Sequence, residues 1–281
     1  ADQMVDNSFS EFSYTDADFS RVQKIIGEHA GINLSEAKRS LVYNRLTKRL
    51  RNFGMDSFQQ YLDYVDSHVE EEFSHFVNAI TTNLTFFFRE EHHFDFLREE
   101  ELPRLMKKNS ATKKLRIWSA GCSTGEEPYS LAITVKEAVP PGWDVKILAT
   151  DLDFNVVEHG KAGIYDERRV EGMSQSRLTK WFKHGSGENG SKVRIKDELR
   201  EMITFKQLNL MHEWPMKGPF DVIICRNVMI YFNKETQARL TDRYADYLVE
   251  NGHLIIGHSE SLFKVTERFK LIGKTIYQRT S

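Results

Sequence analysis

The sequence predicts a Rossmann-like α/β domain that follows an all-α N-terminal domain and carries a small antiparallel β insertion. Three observations predict this fold class. Apolar residues recur at helical spacing through residues 15–82, strand and helix patterns alternate through residues 113–281, and a glycine-containing turn joins the first of those strands to its helix. Strands that alternate with helices favour a parallel sheet covered by helices.

The helical N-terminal domain is predicted over residues 15–82. Its first helix runs from about Asp16 to Ala30, where the apolar residues follow the helical period, and Gly31 provides a C-terminal stop. Further amphipathic patterns fill the rest of this domain. Residues 83–112 then indicate a linker followed by one more helix, so the α/β domain begins near residue 113.

The second predicted helix carries a row of basic side chains. Residues 36–51 contain six basic residues and one acid, whereas residues 56–72 contain six acids and no Lys or Arg. In a chain of net charge −2, this segregation favours a docking face for an anionic partner, and a solvated helix paired with its acidic neighbour is the alternative. The residues predicted to form the docking face are Lys38, Arg45, Lys48 and Arg49.

The turn that opens the α/β domain runs from Gly121 to Gly125, between a strand at 115–119 and a helix that begins with Glu126 and Glu127. Glycine lets the backbone approach a ligand closely, because it has no Cβ and tolerates positive φ. The dinucleotide spacing G-x-G-x-x-G is missing, and two acids at the helix start would repel a pyrophosphate. The turn therefore suits a cationic or neutral nucleoside with hydroxyl groups, for which S-adenosylmethionine is the candidate. A plain turn, whose acids only favour the helix N-terminus, is the alternative.

The rest of the α/β domain is a series of strands with one interruption. Asp151 ends the second strand, a position at which acids bind ribose hydroxyls in nucleotide folds. Residues 165–202 break the alternation and predict an inserted helix with a small antiparallel β-subdomain. A last helix is predicted at about Lys234–Val249, ahead of a strand at Leu254–Ile256, and an antiparallel hairpin at 269–277 closes the sheet.

Composition excludes several classes of protein. With 281 residues, 40% hydrophobic residues and a net charge of −2, the chain has no overall bias toward nucleic acid or membrane. No apolar run approaches the roughly 20 residues of a membrane span, the N-terminus is polar, and the two cysteines indicate free thiols, so a cytoplasmic protein is expected. The ten histidines predict no metal site. His92 and His93, for example, are neighbours on a helix and are expected to point apart.

Three long motifs make the chain recognisable. They are Thr81–Glu90 (TTNLTFFFRE), Ser123–Ser130 (STGEEPYS) and Cys225–Phe232 (CRNVMIYF), and they resemble the chemotaxis receptor methyltransferases, the CheR family. Shorter matches at Ala149–Asp151 and Gly257–Glu260 occur in order and at suitable spacing, so the resemblance covers nearly the whole chain.

The resemblance implies both a fold and a reaction. Members of this family have the Rossmann-like fold of class I S-adenosylmethionine-dependent methyltransferases. They are cytoplasmic protein-glutamate O-methyltransferases, which methylate glutamates on bacterial chemoreceptors and release S-adenosylhomocysteine. The acceptor carboxylate is already ionised at neutral pH and the donor carries its own leaving group, so the reaction needs orientation rather than a catalytic base or a metal.

Carried over to this sequence, the resemblance assigns Arg89 and Tyr231 to the methyl-transfer site. Arg89 could neutralise the cofactor carboxylate or hold the acceptor glutamate, and Tyr231 could aim the acceptor oxygen. The positions assigned to the cofactor, with Gly121 from the turn, are Asn83, Thr85, Arg89, Gly121, Glu127, Asp151, Asn209, Leu210, Asn227 and Val228.

The resemblance also implies partners. Chemoreceptors present a helical, glutamate-rich region, and in some family members a β-subdomain like that at 165–202 adds a receptor's C-terminal peptide to its sheet edge. A monomer that binds no nucleic acid and inserts into no membrane is expected. Two other classes fit less well. A nucleic-acid methyltransferase would carry an Asp/Asn-Pro-Pro-aromatic turn where residues 226–228 stand, and a non-enzymatic scaffold would not need intact cofactor positions.

Overall fold

The computed structural model describes residues 10–81 and 85–281. The chain divides into two compact units. The first holds the described residues up to position 81 together with Tyr231–Asn233, and the second holds residues 85–230 and Lys234–Ser281. Within the described ranges, no helix is both long enough and apolar enough to span a membrane.

Four amphipathic helices form the described part of the first unit, as the apolar periodicity predicts. They are α1 (Asp16–Ala30), α2 (Arg39–Phe53), α3 (Phe58–Ser67) and α4 (Val69–Thr81), with a 3-10 turn at Glu36–Lys38 ahead of α2. α1 begins at a capping box, in which Thr15 and Asp18 each accept a hydrogen bond from the other's backbone N–H. It ends at Gly31, whose φ of 68° confirms the predicted C-terminal stop.

A buried ion pair joins three of these helices. Glu72 of α4 is 2% exposed. Its two carboxylate oxygens accept hydrogen bonds from Nε and Nη2 of Arg49 in α2, at 2.8 and 2.7 Å. The hydroxyl of Tyr61 in α3 donates to the same carboxylate at 2.8 Å. Because a buried carboxylate is costly without partners, Arg49 and Tyr61 are what allow Glu72 to lie inside the helical core.

A segment from far along the chain completes the first unit. The backbone N–H of Asn33 donates to the carbonyl of Tyr231 at 2.6 Å, and Ile32 and Phe232 form an isolated antiparallel bridge. The Tyr231 hydroxyl donates to the carbonyl of Thr81, the last residue of α4, at 2.9 Å. Tyr231 therefore folds with the helices, although its motif lies within the sequence of the α/β domain.

The described residues of the second unit include ten strands, seven in a large sheet and three in a small one. They are β1 (Lys114–Ala120), β2 (Asp144–Asp151), β3 (Ile164–Asp166), β4 (Phe182–His184), β5 (Lys192–Ile195), β6 (Ile203–Gln207), β7 (Phe220–Cys225), β8 (Leu248–Ile256), β9 (Phe269–Gly273) and β10 (Ile276–Arg279). The large sheet has the order β6-β2-β1-β7-β8-β10-β9. Its first five strands are parallel and the β9–β10 hairpin is antiparallel, which confirms the predicted Rossmann-like class.

The described α-helices of the second unit are α5 (His92–Phe96), α6 (Leu102–Lys108), α7 (Glu126–Ala138), α8 (Phe154–Ala162), α9 (Gln175–Trp181), α10 (Asp197–Arg200) and α11 (Lys234–Tyr247), and a π-helical turn at Leu97–Glu101 joins α5 to α6. Among them, α7 and α8 contact β2 and β6 of the large sheet, and α11 contacts β8. All six residues of β7 are buried. In α7, every residue from Glu126 to Val135 is buried, because this helix contacts both β2 and the π-helical turn.

The predicted β insertion is present as a separate small sheet. β3, β5 and β4 form an antiparallel sheet in that order, and α9 leads directly into β4. Trp181, Phe182, Val193 and Ile195 are buried in its core. Phe87, which precedes α5, packs its ring against Phe182 at a centroid distance of 5.7 Å. The insertion is therefore anchored to the chain ahead of α5.

The last helix is shorter than predicted. α11 ends at Tyr247 rather than Val249, and β8 begins at Leu248. Leu248 is 1% exposed and pairs with Phe220 of β7, so its burial in the sheet outweighs the helical pattern of the sequence. The β7–β8 register shifts beyond Phe220, and Asn251 adopts a φ of 63° within β8. Because of this irregularity, β8 includes residues 248–252, for which the sequence predicts the end of a helix and a turn.

Candidate functional site

The predicted cofactor residues of the second unit follow neighbouring strands at one edge of the large sheet. β6, β2, β1 and β7 are adjacent and parallel, so their carboxyl ends meet at that edge. Gly121 follows β1, Asp151 ends β2, Asn209 follows β6 and Asn227 follows β7. The strand order reverses direction between β1 and β7, and at such a switch point the loops diverge and leave a crevice for a ligand.

A close approach at Gly121 shapes this crevice. Gly121 has a φ of 82°. Its backbone N–H and that of Cys122 both donate to the carbonyl of Thr150 at 2.8 Å. A Cβ on Gly121 would lie 2.5 Å from Cγ2 of Val228, so the loops after β1 and β7 pass each other with room only for glycine. Gly121 and Val228, which are both predicted to contact the cofactor, therefore pack against each other.

The two glutamates that open α7 are buried. Glu126 is 0% exposed, and one of its oxygens accepts a hydrogen bond from the Thr124 hydroxyl. Its Oε2 has no hydrogen-bond partner among the described residues, and Nη1 of Arg169 lies 3.9 Å away. Glu127 is 8% exposed, and its Oε2 accepts from Nε of Arg226 at 2.8 Å. Two buried carboxylates at a helix N-terminus make this turn unsuited to a phosphate.

Arg226, which the motifs left unassigned, ties these elements together. It directly follows β7 and is 7% exposed. Its Nη1 donates to the backbone carbonyl of Arg89 and lies 3.2 Å from Nδ1 of His93, while its Nε holds Glu127. The guanidinium also lies over the Phe94 ring, 5.3 Å from the centroid. The signal in the sequence is a charged residue directly after a strand that is apolar except for Asp221, because a charge buried at such a place requires partners.

His93 is neutral in this network. Arginine only donates hydrogen bonds, so Nδ1 of His93 accepts from Arg226. Nε2 then carries the proton and donates to the Thr275 hydroxyl oxygen at 2.9 Å, whose own proton goes to the Lys274 carbonyl at 2.7 Å. Burial, and after it the charge of Arg226, lowers the pKa of His93 to about 3. Both ring nitrogens of His93 are therefore occupied.

Asp151 presents a carboxylate at the end of β2. Its Oδ2 accepts from the backbone N–H of Ser123 at 2.9 Å, and its Oδ1 accepts from that of Asp153 at 3.0 Å. Burial raises the pKa of Asp151 to about 6, against the lowering effect of these hydrogen bonds. The side chain is therefore mostly ionised at neutral pH, and each oxygen keeps a lone pair that can accept from a ligand hydroxyl.

The loop after β7 is held by the buried carboxylate of Glu260. Oε1 accepts from the backbone N–H groups of Asn227 and Gly257, each at 2.7 Å, and Oε2 accepts from that of Ile230 at 3.0 Å. Burial raises the pKa of Glu260. Asn227 has a φ of 62°, and a Cβ on Gly257 would lie 2.5 Å from its Oδ1. Glu260 thus sets the backbone that presents Asn227 and Val228.

The loop after β6 is fixed in a similar way. Oδ1 of Asn209 accepts from the backbone N–H of Met211 at 2.9 Å. The carbonyl of Leu210 accepts from Nη1 of Arg243 at 2.6 Å and from Nε1 of Trp214 at 3.2 Å. Asn209 and Leu210, both half-buried, are therefore held by the following loop and by α11.

The residues predicted ahead of α5 are placed only in part. Asn83 lies outside the described residues. The carbonyl of Thr85 accepts from Nη1 of Arg169 at 3.1 Å. Arg89 is half-buried, and its backbone carbonyl belongs to the Arg226 network. The segment that carries Thr85 and Arg89 is thus bound to the rest of the second unit at two points.

The predicted docking residues of the first unit differ in their surroundings. Lys38 lies in the 3-10 turn and is exposed, Lys48 is exposed on α2, and Arg45 is half-buried. Arg49 is engaged with the buried Glu72. Arg49 is therefore occupied by an internal partner, whereas Lys38, Arg45 and Lys48 are at least partly exposed.

The histidine pair at the start of α5 differs from the expectation. The ring centroids of His92 and His93 are 4.1 Å apart, so these rings do not point apart. Adjacent helical residues diverge by only about 100°, which lets large rings meet. One oxygen of Glu90 and one nitrogen of each histidine lie within 4.8 Å of one another. Glu90, His92 and His93 therefore form a cluster at the spacing of metal ligands.

The crevice can bind a cationic ligand that carries hydroxyl groups. Asp151 offers an ionised acceptor, buried carboxylates open α7, and Gly121 permits close approach. Carboxylates concentrated in a crevice attract positive charge and repel phosphates.

Comparisons with known proteins agree on one family. Residues 83–278 match the family model described as CheR methyltransferase, SAM binding domain, and residues 17–81 match the one described as CheR methyltransferase, all-alpha domain. A probable chemotaxis protein methyltransferase of Rhizobium etli is 43% identical over 265 residues, which is 92% of this chain and 97% of that protein. Chemotaxis protein methyltransferase 2 of Pseudomonas aeruginosa is 43% identical over 95% of this chain and 94% of its own length. The chemotaxis protein methyltransferase of Salmonella typhimurium is 41% identical over 94% and 90%.

We expect Gly121→Ala to destabilise the protein more than Gly142→Ala. Both glycines have positive φ, 82° and 98°, so each substitution costs about 1–2 kcal/mol of backbone strain. Only at position 121 does the new Cβ also meet a neighbour, 2.5 Å from Val228, which adds roughly 1–3 kcal/mol. Urea unfolding of the two variants measures the difference. Equal losses would contradict the prediction, and Val228→Ala should remove the excess loss if the collision causes it.

Proposed function

The chain belongs to the CheR methyltransferase family, and we propose that it transfers the methyl group of S-adenosylmethionine to side-chain carboxylates of specific glutamates on bacterial chemoreceptors. The products are glutamate methyl esters and S-adenosylhomocysteine. The observation that carries this proposal is the acid-lined crevice at the ends of β1, β2, β6 and β7. There Gly121 leaves no room for a side chain and Asp151 is mostly ionised.

S-adenosylmethionine fits the residues of this crevice. It is a nucleoside with two ribose hydroxyls, an ammonium group and a sulfonium. The carboxylate of Asp151 can accept from the hydroxyls, and the buried acids at the start of α7 favour the positive charges. The residues that we propose to hold it are Asn83, Thr85, Arg89, Gly121, Glu127, Asp151, Asn209, Leu210, Asn227 and Val228.

Methyl transfer requires the protein to align the donor and the acceptor rather than to activate either of them. When bound, S-adenosylmethionine supplies a methyl group on a positively charged sulfur, which is also the leaving group. An acceptor glutamate has an ordinary pKa of about 4.3 and is an anion at neutral pH. The protein therefore needs no base for the acceptor. Its task is to hold the carboxylate oxygen in line with the methyl carbon, at roughly 3 Å.

We propose that Arg89 holds a carboxylate, either that of the cofactor or that of the acceptor. Its backbone is fixed at both ends, because its N–H donates to the carbonyl of Phe86 at 3.3 Å and its own carbonyl accepts from Arg226. A guanidinium on a fixed backbone can pair with both oxygens of a carboxylate. The buried Arg226 thus acts on the reaction through the position of Arg89.

Tyr231 can aim an acceptor only after it changes partner. A tyrosine hydroxyl has one proton to donate, and that of Tyr231 goes to the Thr81 carbonyl at 2.9 Å. A carboxylate is a stronger acceptor than a neutral carbonyl, so the exchange is favourable once an ionised glutamate is within reach. We propose this exchange as the role of Tyr231 in transfer.

Receptor docking is proposed for the basic residues of the first unit that face outward. Lys38 and Lys48 are exposed and Arg45 is half-buried, so their charges can attract a glutamate-rich helix before contact. Such attraction acts more on the rate of encounter than on final affinity. We propose that Arg49 instead stabilises the position of α2, because it pairs with the buried Glu72 of α4.

The small sheet is proposed as a second receptor contact. β3 and β4 are its edge strands, to which an extended peptide can add. Lys183 and Arg194 stand opposite each other across β4 and β5, and both are exposed. Like charges in directly opposite positions repel, so an acidic receptor C-terminal peptide would relieve that repulsion. We also propose that the enzyme is a cytoplasmic monomer.

The reaction is tested with methyl-labelled S-adenosylmethionine and a chemoreceptor fragment that contains the methylation helices. We expect label on the receptor that base releases as methanol, because a carboxyl methyl ester hydrolyses readily and an N-methyl group does not. A fragment whose acceptor glutamates are replaced by alanine is the matched control. Label that resists base, or that persists in the control fragment, would overturn the proposed reaction.

The role of Asp151 is tested by its charge. Asp151→Asn should weaken binding of S-adenosylhomocysteine by about 1.5–3 kcal/mol, the value of hydrogen bonds to a charged group. In the unsubstituted protein the affinity should fall as the pH drops through about 6, because burial raises the pKa of Asp151 to that value and its protonated carboxyl is a weaker acceptor.

Titration calorimetry between about pH 5 and 8 measures both effects. Asp144→Asn, at the other end of β2 and bound to Arg116, is the control and should keep both the affinity and its dependence on pH. Unchanged affinity in a folded Asp151→Asn variant would place Asp151 outside the cofactor contacts.

The docking surface is tested by charge reversal. Arg45→Glu with Lys48→Glu should lower the rate of receptor methylation roughly tenfold or more at low ionic strength, and much less at high ionic strength, where salt screens the repulsion. Affinity for S-adenosylhomocysteine should not change. Lys24→Glu with Lys270→Glu alters net charge equally at exposed positions outside this surface and should have little effect. Normal methylation by the Arg45/Lys48 variant at low salt would move the docking surface elsewhere.

A further inference from the structure

We propose a divalent metal site of the kind that binds Zn²⁺, formed by Glu90 just ahead of α5, His92 at the start of α5 and His258 after β8. The ligand atoms are Oε1 of Glu90, Nε2 of His92 and Nδ1 of His258. The site is additional to the proposed methyl transfer, whose chemistry requires no metal. The unpaired buried atoms of two neighbouring side chains point to it.

Glu90 is held in place through one carboxylate oxygen, and its other oxygen has no hydrogen-bond partner among the described residues. Its side chain is 10% exposed, and its backbone has a φ of 55°. Oε2 faces Nδ2 of Asn227 at 3.5 Å and Nη1 of Arg226 at 4.0 Å. Oε1 is buried and has no hydrogen-bond partner among the described residues. A carboxylate oxygen left in this state is costly, so a cation at Oε1 would recover free energy.

His92 supplies a second buried atom without a partner. Its Nε2 also lacks a hydrogen-bond partner within the described part of the chain. His92 and Glu90 belong to the cluster whose ligating atoms lie within 4.8 Å of one another. In the tautomer whose Nε2 carries no proton, this nitrogen and the carboxylate oxygen of Glu90 are both acceptors, so they cannot bond each other. A metal ion between them satisfies both.

His93 is excluded from the site although it belongs to that cluster. Its Nδ1 accepts from Arg226 and its Nε2 donates to Thr275 at 2.9 Å, so neither nitrogen has a lone pair to offer. A metal at Nδ1 would also lie against the guanidinium of Arg226, which repels it. A third ligand must therefore come from elsewhere.

His258 provides the third ligand. Its Nδ1 lies 3.6 Å from Oε1 of Glu90, and its side chain is 64% exposed. The neighbouring backbone is fixed, because Gly257 donates to Glu260 at 2.7 Å, so the ring can turn toward Glu90 while the loop stays in place. Three protein ligands leave further coordination positions to water, as in open zinc sites.

The donor set selects the type of ion. Two imidazoles and one carboxylate suit Zn²⁺ and Co²⁺, whereas Ca²⁺ and Mg²⁺ prefer oxygen ligands throughout. The charge of Arg226, 4.0 Å from the Glu90 carboxylate, reduces the attraction for any cation. We therefore expect binding weaker than that of a closed structural zinc site.

The test is a titration of the metal-free chain with Co²⁺, followed by its visible ligand-field absorption and by competition with Zn²⁺. We expect absorption bands typical of nitrogen and oxygen ligands, which Zn²⁺ removes. His92→Gln and His258→Gln should each weaken Co²⁺ binding by roughly tenfold or more. His184→Gln, which removes an exposed histidine from β4, is the matched control and should bind like the unsubstituted chain.

Two results would overturn the site. One is equal Co²⁺ affinity in the His258→Gln and His184→Gln variants, and the other is an intense thiolate charge-transfer band, which would assign the metal to Cys122 or Cys225. Because His258 is exposed, its substitution leaves the core intact and stays informative even if His92→Gln fails to fold. This readout needs neither cofactor nor receptor, so it stands or falls separately from the proposed methyl transfer.

Discussion

Arg226 brings a positive charge into the interior of the second unit, directly after a strand whose six residues are all buried. The charge is tolerated because Glu127, the carbonyl of Arg89 and His93 surround it. Removing a partner from a buried ion pair costs several kcal/mol, typically about 3–5. α7, the end of β7 and the segment before α5 are thus held in one arrangement. Those elements carry Glu127, Asn227 and Arg89, so the spacing of three proposed cofactor contacts depends on this one guanidinium.

A second structural feature recurs in the loops of the crevice, namely backbone strain that is stabilised by side-chain hydrogen bonds. Several non-glycine residues there have positive φ, a conformation that costs of order 1–3 kcal/mol and persists only where the surroundings enforce it. In three of them the backbone N–H is bound by a side-chain oxygen: Phe88 by Ser130 at 2.9 Å, Ser123 by Asp151 at 2.9 Å and Asn227 by Glu260 at 2.7 Å. Side-chain hydrogen bonds therefore shape these loops more than the backbone preferences of the loop residues do, which prepares the crevice before a ligand arrives.

The sequence predicts what depends on local pattern. Apolar periodicity locates the helices and strands, and it places Gly121 after the first strand and Asp151 at the end of the second, because such signals are complete within a few residues. Pairing over long separations is not visible in this way. Helical spacing puts Arg49 in a row with Arg45, but it cannot show that Arg49 faces the buried Glu72. The role of Arg226 is hidden for the same reason, since its partners lie far away in the chain.

The first unit includes Tyr231–Asn233, which has a consequence for synthesis of the protein. A ribosome delivers the four helices early, yet the carbonyl that pairs with Asn33 and the hydroxyl that binds Thr81 emerge only after most of the second unit. Closing so long a loop costs only slightly more entropy than closing a shorter one, because the cost grows with the logarithm of the loop length. The main consequence is that folding of the first unit is completed late. The nascent helical unit must wait, with unpaired backbone groups at Asn33 and at the end of α4, until translation passes residue 233.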